Sequence, residues 1–282
     1  MSISQNPTLY LISSACIVGF SGGLRLYLAF LLAGLYPNVV LAVAAALIIY
    51  ATYTLDRSLE NKEDAVNLAE ISHANKKLGI AVSAITAATG AFLFFSKNFY
   101  LAPLFPFIVG FLYSKGIPLG KKTIKLKGGC GVKNIVIGIT WGGTIMLIVW
   151  SIGAVLPAVL IGLYFGMKLF INSTIFDMKD IRGDLAAGIR TLPVALGEYR
   201  LRMLLIAIFI IQHVIFLGAM VVGILTFQLP LLLVSFISSG ITLALYNPAF
   251  ETNEMWIKKK FRTIFIDGES TIAFILSTAL PY

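Results

Sequence analysis

Apolar runs of about 20 residues dominate this chain, and that length of helix spans the hydrocarbon core of a bilayer. Nine are readable, near residues 9–33, 38–56, 78–96, 99–114, 133–150, 153–176, 203–225, 229–246 and 263–280. In hydrocarbon every backbone donor and acceptor needs an internal partner, so such runs are expected as helices. The fourth run is short and is expected to be tilted or partly interfacial.

The basic residues test this reading. Of 22 Lys and Arg, four lie in Arg57–Lys77, six in Lys115–Lys133, five in Lys179–Arg202 and four in Lys258–Arg262. These segments follow the second, fourth, sixth and eighth runs. The alternate loops hold only Lys97, while Arg25 and Lys168 fall inside runs. Cytoplasmic loops carry the excess of Lys and Arg in membrane proteins. A missed or invented span would scramble the alternation, so it supports nine spans independently of hydropathy. The expected fold is an all-α membrane protein, a bundle of about nine transmembrane helices forming a single domain over residues 1–282. The expected location is the cell membrane, multi-pass, with the N-terminus and the four basic loops cytoplasmic and the C-terminus outside.

The net charge of +9 is then a matter of topology and anionic headgroups. No basic helix with interleaved aromatics lies outside the runs, so no nucleic acid is expected. No obligate protein partner is implied either. Cys16 lies in a run and Cys130 in a cytoplasmic loop, which argues against a disulfide. The first residues lack the basic region of a signal peptide.

None of the thirteen Asp and Glu residues falls on the outer face of this topology. That asymmetry needs another cause, because acids contribute little to orientation. Thr52, Asp56 and Glu60 recur every four residues, a spacing that stacks side chains along one helix face, and Asp64 would extend the row. Asp177, Asp180 and Asp184 form a second row at the end of the sixth run. Stacked carboxylates repel unless a cation sits among them. A solvated helix end with Arg57, Lys179 and Arg182 as partners is the bland account of either cluster. Two clusters at one membrane boundary favour a functional one. Mg²⁺ suits them, since it binds through a few carboxylates, waters and phosphate oxygens. The combination calls for a cytoplasmic diphosphate attached to a membrane-soluble tail, and a prenyl diphosphate meets both demands.

At these residues the chain resembles the UbiA superfamily of intramembrane prenyltransferases. The nine-run layout agrees, with acidic motifs at 52–64 and 177–184. Asp177-Met-Lys-Asp-Ile-Arg-Gly-Asp184, followed by Gly188-Ile-Arg-Thr-Leu-Pro-Val194, is very like the family's second motif. The first motif departs from the family's Asn-x-x-x-Asp-x-x-x-Asp: Thr52 stands for the Asn and Glu60 for the last Asp. Tyr113-Ser114, the Lys-rich loop and Gly131-Val-Lys-Asn134 resemble the family's loop after its fourth helix. The resemblance implies Mg²⁺-dependent transfer of a prenyl group from its diphosphate to a lipophilic or aromatic acceptor in the lipid bilayer. Quinone-precursor, tetrapyrrole, phenazine and archaeal ether-lipid acceptors all fit. It implies Thr52, Asp56, Glu60, Asp180 and Asp184 as metal ligands. Tyr113, Lys121, Lys122 and Asn134 would bind substrate. Asp177 would orient or deprotonate the acceptor, and Lys179 would meet the diphosphate if the helix unwinds near Gly183.

Other residues have bland and functional accounts side by side. Lys168 is expected either to snorkel or to line a pocket, and Arg25 to be a structural ion pair or a cavity residue. Asp267 and Glu269 stand as interfacial residues or helpers of the site. His73 and His213 lack metal-ligand spacing and read as structural. Gly142-Gly143 and Ala42–Ala46 suit close helix packing. Two other functions compete with the enzyme. A secondary transporter would show internal repeats and midplane acids. A non-catalytic isoprenoid-binding homologue would bind without turnover.

Overall fold

The structure is a computed structural model and describes residues 6–59, 73–114, 117–119, 122–124, 131–178, 191–245 and 263–279. The expected all-helical membrane bundle is present. Its helices are α1 (Pro7–Ser13), α2 (Cys16–Leu32), α3 (Val39–Ser58), α4 (Lys76–Phe95), α5 (Leu104–Ser114), α6 (Val132–Ser151) and α7 (Val155–Asp177). They continue with α8 (Leu192–Leu196), α9 (Glu198–Val221), α10 (Leu229–Leu245) and α11 (Glu269–Ala279). Six stretches are long and apolar enough to cross a membrane among the described residues: Pro7–Leu32, α3, α4, α6, Val155–Ile175 of α7, and α9. The protein is a multi-pass membrane protein.

The shorter elements differ from the sequence reading for local reasons. The first run breaks at Ser14–Ala15 into α1 and α2. The fourth run keeps only the 11 residues of α5, because the chain leaves α4 through Asn98 at φ 65° and meets Pro103. The ninth run opens with a π-helical turn, Thr263–Asp267, before α11. The seventh starts earlier than read, at Glu198. A small antiparallel ribbon, β1 (Ile117–Leu119) with β2 (Lys122–Ile124), adds strand to the expected helices. The intervening Gly120-Lys121 has the composition of a two-residue hairpin connection, a signal available in the sequence.

The chain divides into two compact units, residues 1–27 with 37–104, and residues 28–36 with 105–282. In the first unit, small residues let backbones approach. A Cβ added at Gly19 would lie 2.8 Å from the Ala46 carbonyl oxygen, and one at Gly23 would lie 2.6 Å from that of Ala42. Lipid tails give no hydrophobic drive for helix association, so close backbone packing of this kind carries much of it. Asn38 and Asn75 cap α3 and α4, accepting from Leu41 N at 3.2 Å and Leu78 N at 3.1 Å, which satisfies orphan donors of the first turn.

The second unit repeats the device. Gly138 and Gly142 of α6 face Gly166 and Gly162 of α7 in antiparallel order, and a Cβ at Gly138 would lie 2.7 Å from the Gly166 carbonyl oxygen. The expected packing role of Gly142 is therefore met by glycines the sequence reading passed over. Beside this seam lies an apolar core in which Tyr164 stacks on Phe216 at a ring separation of 3.9 Å. Exposed Ile139, Leu163, Val214 and Phe236 make up outward faces of the helices, the surface a bilayer covers.

Candidate active-site residues at two helix ends

The last turns of α3 carry the first acidic motif. Thr52 is half-buried and Asp56 is exposed one turn further on. The Thr52 hydroxyl donates to Ile48 O at 2.8 Å, so its lone pairs stay available to accept. The other side of the same helix end is used for packing. There Tyr50 Oη donates to Ile12 O at 3.1 Å, Arg57 donates to Ser14 Oγ, and Ser58 is buried. Thus α3 turns its packing residues one way and its Thr52–Asp56 row another. Glu60 lies outside the described residues.

The end of α7 carries the second. Asp177 is buried, and both carboxylate oxygens are engaged. Oδ1 accepts from Lys133 Nζ at 2.8 Å and Oδ2 from Asn134 Nδ2 at 2.9 Å. The Asn134 amide also reaches Ser173 Oγ at 3.3 Å. The hairpin of α6 and α7, set by the glycine seam, places the first turn of α6 beside the last turn of α7. Side-chain exposure is 52% for Lys133 and 6% for Asp177, so a fixed carboxylate is met by a cation that still reaches solvent. Charge-assisted bonds of this kind are the stronger ones. Asn134, expected among the substrate ligands, is here a buried donor to Asp177. Lys133 was missed by sequence reasoning. Its signal was the position one residue before Asn134, at the end of α6 that an antiparallel hairpin must bring to Asp177.

Lys179, Asp180, Asp184 and Lys121 lie outside the described residues. Tyr113 is the penultimate backbone position of α5, and Lys122 begins β2 opposite Leu119. Among the described residues no three His, Cys, Asp or Glu side chains are grouped for a metal ion. The oxygens that are described suit Mg²⁺ nonetheless. A carboxylate and a hydroxyl on one exposed helix face supply part of the hard-oxygen set that the ion completes with water and phosphate.

Lys168 and Glu269 meet inside the helices, and Lys168 does not snorkel. It is 4% exposed, and its ammonium meets Glu269 Oε1 at 2.6 Å, Ser235 Oγ at 2.8 Å and Ser239 Oγ at 2.9 Å. Glu269 Oε2 accepts from Ser238 Oγ at 2.6 Å. The serines come from one stripe of α10, so the network joins α7, α10 and α11. A charge that cannot reach water must be paired and hydrogen-bonded, which is why the lysine stays inside. His213 Nδ1 donates to Phe209 O at 2.8 Å, and its ring packs on Phe209 and Phe236.

Comparison with known proteins gives three findings. The model of the UbiA prenyltransferase family matches residues 39–266. A digeranylgeranylglyceryl phosphate synthase of Halobacterium salinarum is 33% identical over 75 residues, and the match spans 27% of this chain and 27% of that relative. The chain thus covers about a quarter of the length of the curated relatives it matches. Among solved structures, a UbiA homologue from Archaeoglobus fulgidus bound to DMAPP and Mg²⁺ superimposes with a TM-score of 0.64 at 15% identity. That match covers 97% of this chain and 99% of the other. A structure of digeranylgeranylglyceryl phosphate synthase gives 0.57 at 16% identity, covering 98% of each. At such identities the likeness shows a shared fold.

Proposed function

Because this chain belongs to the UbiA prenyltransferase family, we propose that it transfers a prenyl group from a prenyl diphosphate to a lipophilic acceptor in the membrane. The observation that carries the reading is the Asp177 carboxylate, held on both oxygens by Lys133 and Asn134 at the end of α7. The rest of the acidic motif follows directly in sequence.

Transfer breaks the bond between the allylic carbon and the diphosphate oxygen, and the diphosphate leaves with the electron pair. The acceptor's ring carbon or hydroxyl forms the new bond and gives up a proton. Bound Mg²⁺ would neutralise the charge growing on the leaving group. Asp56, Glu60, Asp180 and Asp184 are the carboxylates assigned to hold it, with the Thr52 hydroxyl as a further oxygen. Asp177 is assigned to orient the acceptor and take its proton. Lys133 and Asn134 hold that carboxylate in place. Lys121, Lys122, Lys179 and Tyr113 are assigned to the diphosphate.

The similarity to digeranylgeranylglyceryl phosphate synthases supports an isoprenoid glycerol phosphate as acceptor over an aromatic quinone precursor, a tetrapyrrole or a phenazine. The distribution of Lys and Arg supports a cytoplasmic placement of the N-terminus and the basic loops.

The test is incubation of detergent-purified protein with Mg²⁺, labelled prenyl diphosphates and a panel of these acceptors. Asp56→Ala and Asp180→Ala are each expected to abolish product while the protein stays folded. Full activity in both variants would sink the metal assignment. Pyrophosphate release without any ion gradient would exclude pure transport.

A further inference from the structure

The metal assignment depends on a carboxylate at a helix end, where the last carbonyls lack intrahelical partners and the chain tends to fray. Asp56 sits in the last turn of α3, whose closing backbone bond runs from Leu59 N to Leu55 O at 2.9 Å. Mg²⁺ demands near-ideal octahedral geometry, so a carboxylate on a loose turn is a poor ligand. Something must hold this turn.

The short helix α1 is placed to do so. It ends where Ser14 Oγ turns back to Leu11 O at 3.1 Å, a local bond that competes with helix continuation. Ser14 Oγ also accepts from Arg57, the residue after Asp56. Two residues earlier, Ile12 O accepts from Tyr50 Oη at 3.1 Å. At the other end of α1, Thr8 Oγ1 accepts from Asn75 N at 2.9 Å, just before α4 begins. Leu11 is 0% exposed and lies against Gly79, where a Cβ would come within 2.8 Å of it. These ties grip both α3 and α4, and in sequence the two anchors flank the stretch from Leu59 to His73.

The gripping residues leave the acid row clear. At about 100° per residue, Tyr50 and Arg57 share one side of α3, while Thr52 and Asp56 share another roughly 130° away. Holding the first side fixes the rotation of the second without covering it.

We infer that α1 is a clamp on the end of α3, and that Arg57, through Ser14, is a positioning residue for Asp56. The inference rests on the proposed metal role of Asp56. It gives α1 a task in catalysis that acts through the end of α3.

The test uses full-length protein in detergent carrying Ser14→Ala, Arg57→Leu or Arg57→Lys. Transfer is titrated with Mg²⁺, and amide exchange is followed at Leu59. Ser14→Ala and Arg57→Leu should each raise the Mg²⁺ half-saturation by about fivefold, the effect of one lost hydrogen bond. Leu59 exchange should quicken in both. Arg57→Lys should restore part of the affinity, and Ser14→Ala should keep its turnover at saturating Mg²⁺. A purely structural anchor would lower the melting midpoint and leave the half-saturation unchanged, which overturns the proposal. So does a shift in Arg57→Leu without one in Ser14→Ala, since Arg57 would then act on the diphosphate directly. Unchanged Leu59 exchange in both variants also overturns it. If Leu59 responds while the wild type shows no Mg²⁺ dependence, the clamp stands and the metal reading falls.

Discussion

Lys168 Nζ lies 2.6 Å from Glu269 Oε1, with both side chains almost closed to solvent. Removing one partner of such a pair strands a buried charge and costs about 3–5 kcal/mol, whereas replacing both by apolar residues is often neutral. Lys168→Met should therefore lower the melting midpoint in detergent steeply, and Lys168→Met with Glu269→Leu should recover most of it. A double variant as unstable as the single one would mean that the serine stripe of α10, rather than the ion pair, holds the helices.

The two donors to Asp177 should separate by exposure. Lys133 is half-exposed, so water can take its place at Asp177 Oδ1, and Lys133→Met should cost less than loss of the buried donor, about 1 kcal/mol. Asn134 is buried, and Asn134→Leu leaves a carboxylate oxygen without its donor, costing about 1–3 kcal/mol. Both should reduce prenyl transfer. Denaturation and turnover measured on the same preparations check this, and equal destabilisation by the two would contradict the division.

Glycines at the α6–α7 seam should be intolerant. Gly142→Val drives a side chain into the backbone of α7, an overpacking that costs about 1–3 kcal/mol or more. Gly218 of α9 has nothing within 4 Å of an added Cβ, so Gly218→Ala should be neutral or slightly stabilising. Melting midpoints of the pair give the comparison, and a tolerated Gly142→Val would refute the tight seam.

Orientation is open to chemical labelling. In a background with Cys16 and Cys130 replaced by Ser, a cysteine at Tyr100 should react with a membrane-impermeant maleimide on intact cells. A cysteine at His73 should react only after permeabilisation. The reverse pattern would invert the topology read from the basic loops.

How much was legible in advance differs between fold and site. The existence of α3, α4, α6, α7 and α9 follows from apolar length, and the loops between them from charge. Element ends were less readable. Asn98 with positive φ and the π turn at Thr263–Asp267 shorten their runs through backbone geometry, to which hydropathy is blind. At the site, the stacking of Thr52 and Asp56 along one helix face was visible because helical periodicity is a one-dimensional property.

Which side chain meets which was decided only in three dimensions. Lys133 finds Asp177 across 44 positions, and Arg57 finds Ser14 across 43. Both depend on the register of antiparallel helices, which facing small residues set through backbone contact. Lys168 illustrates the same limit. Its charge in an apolar run announced a cost, but the partner that meets it belongs to another helix. By itself the sequence determined which stretches are long and apolar enough to cross a membrane and which acids can share a helix face, because solvent partition and helical period act residue by residue. The tertiary structure decided the partners of those charges, because pairing is a property of packed surfaces.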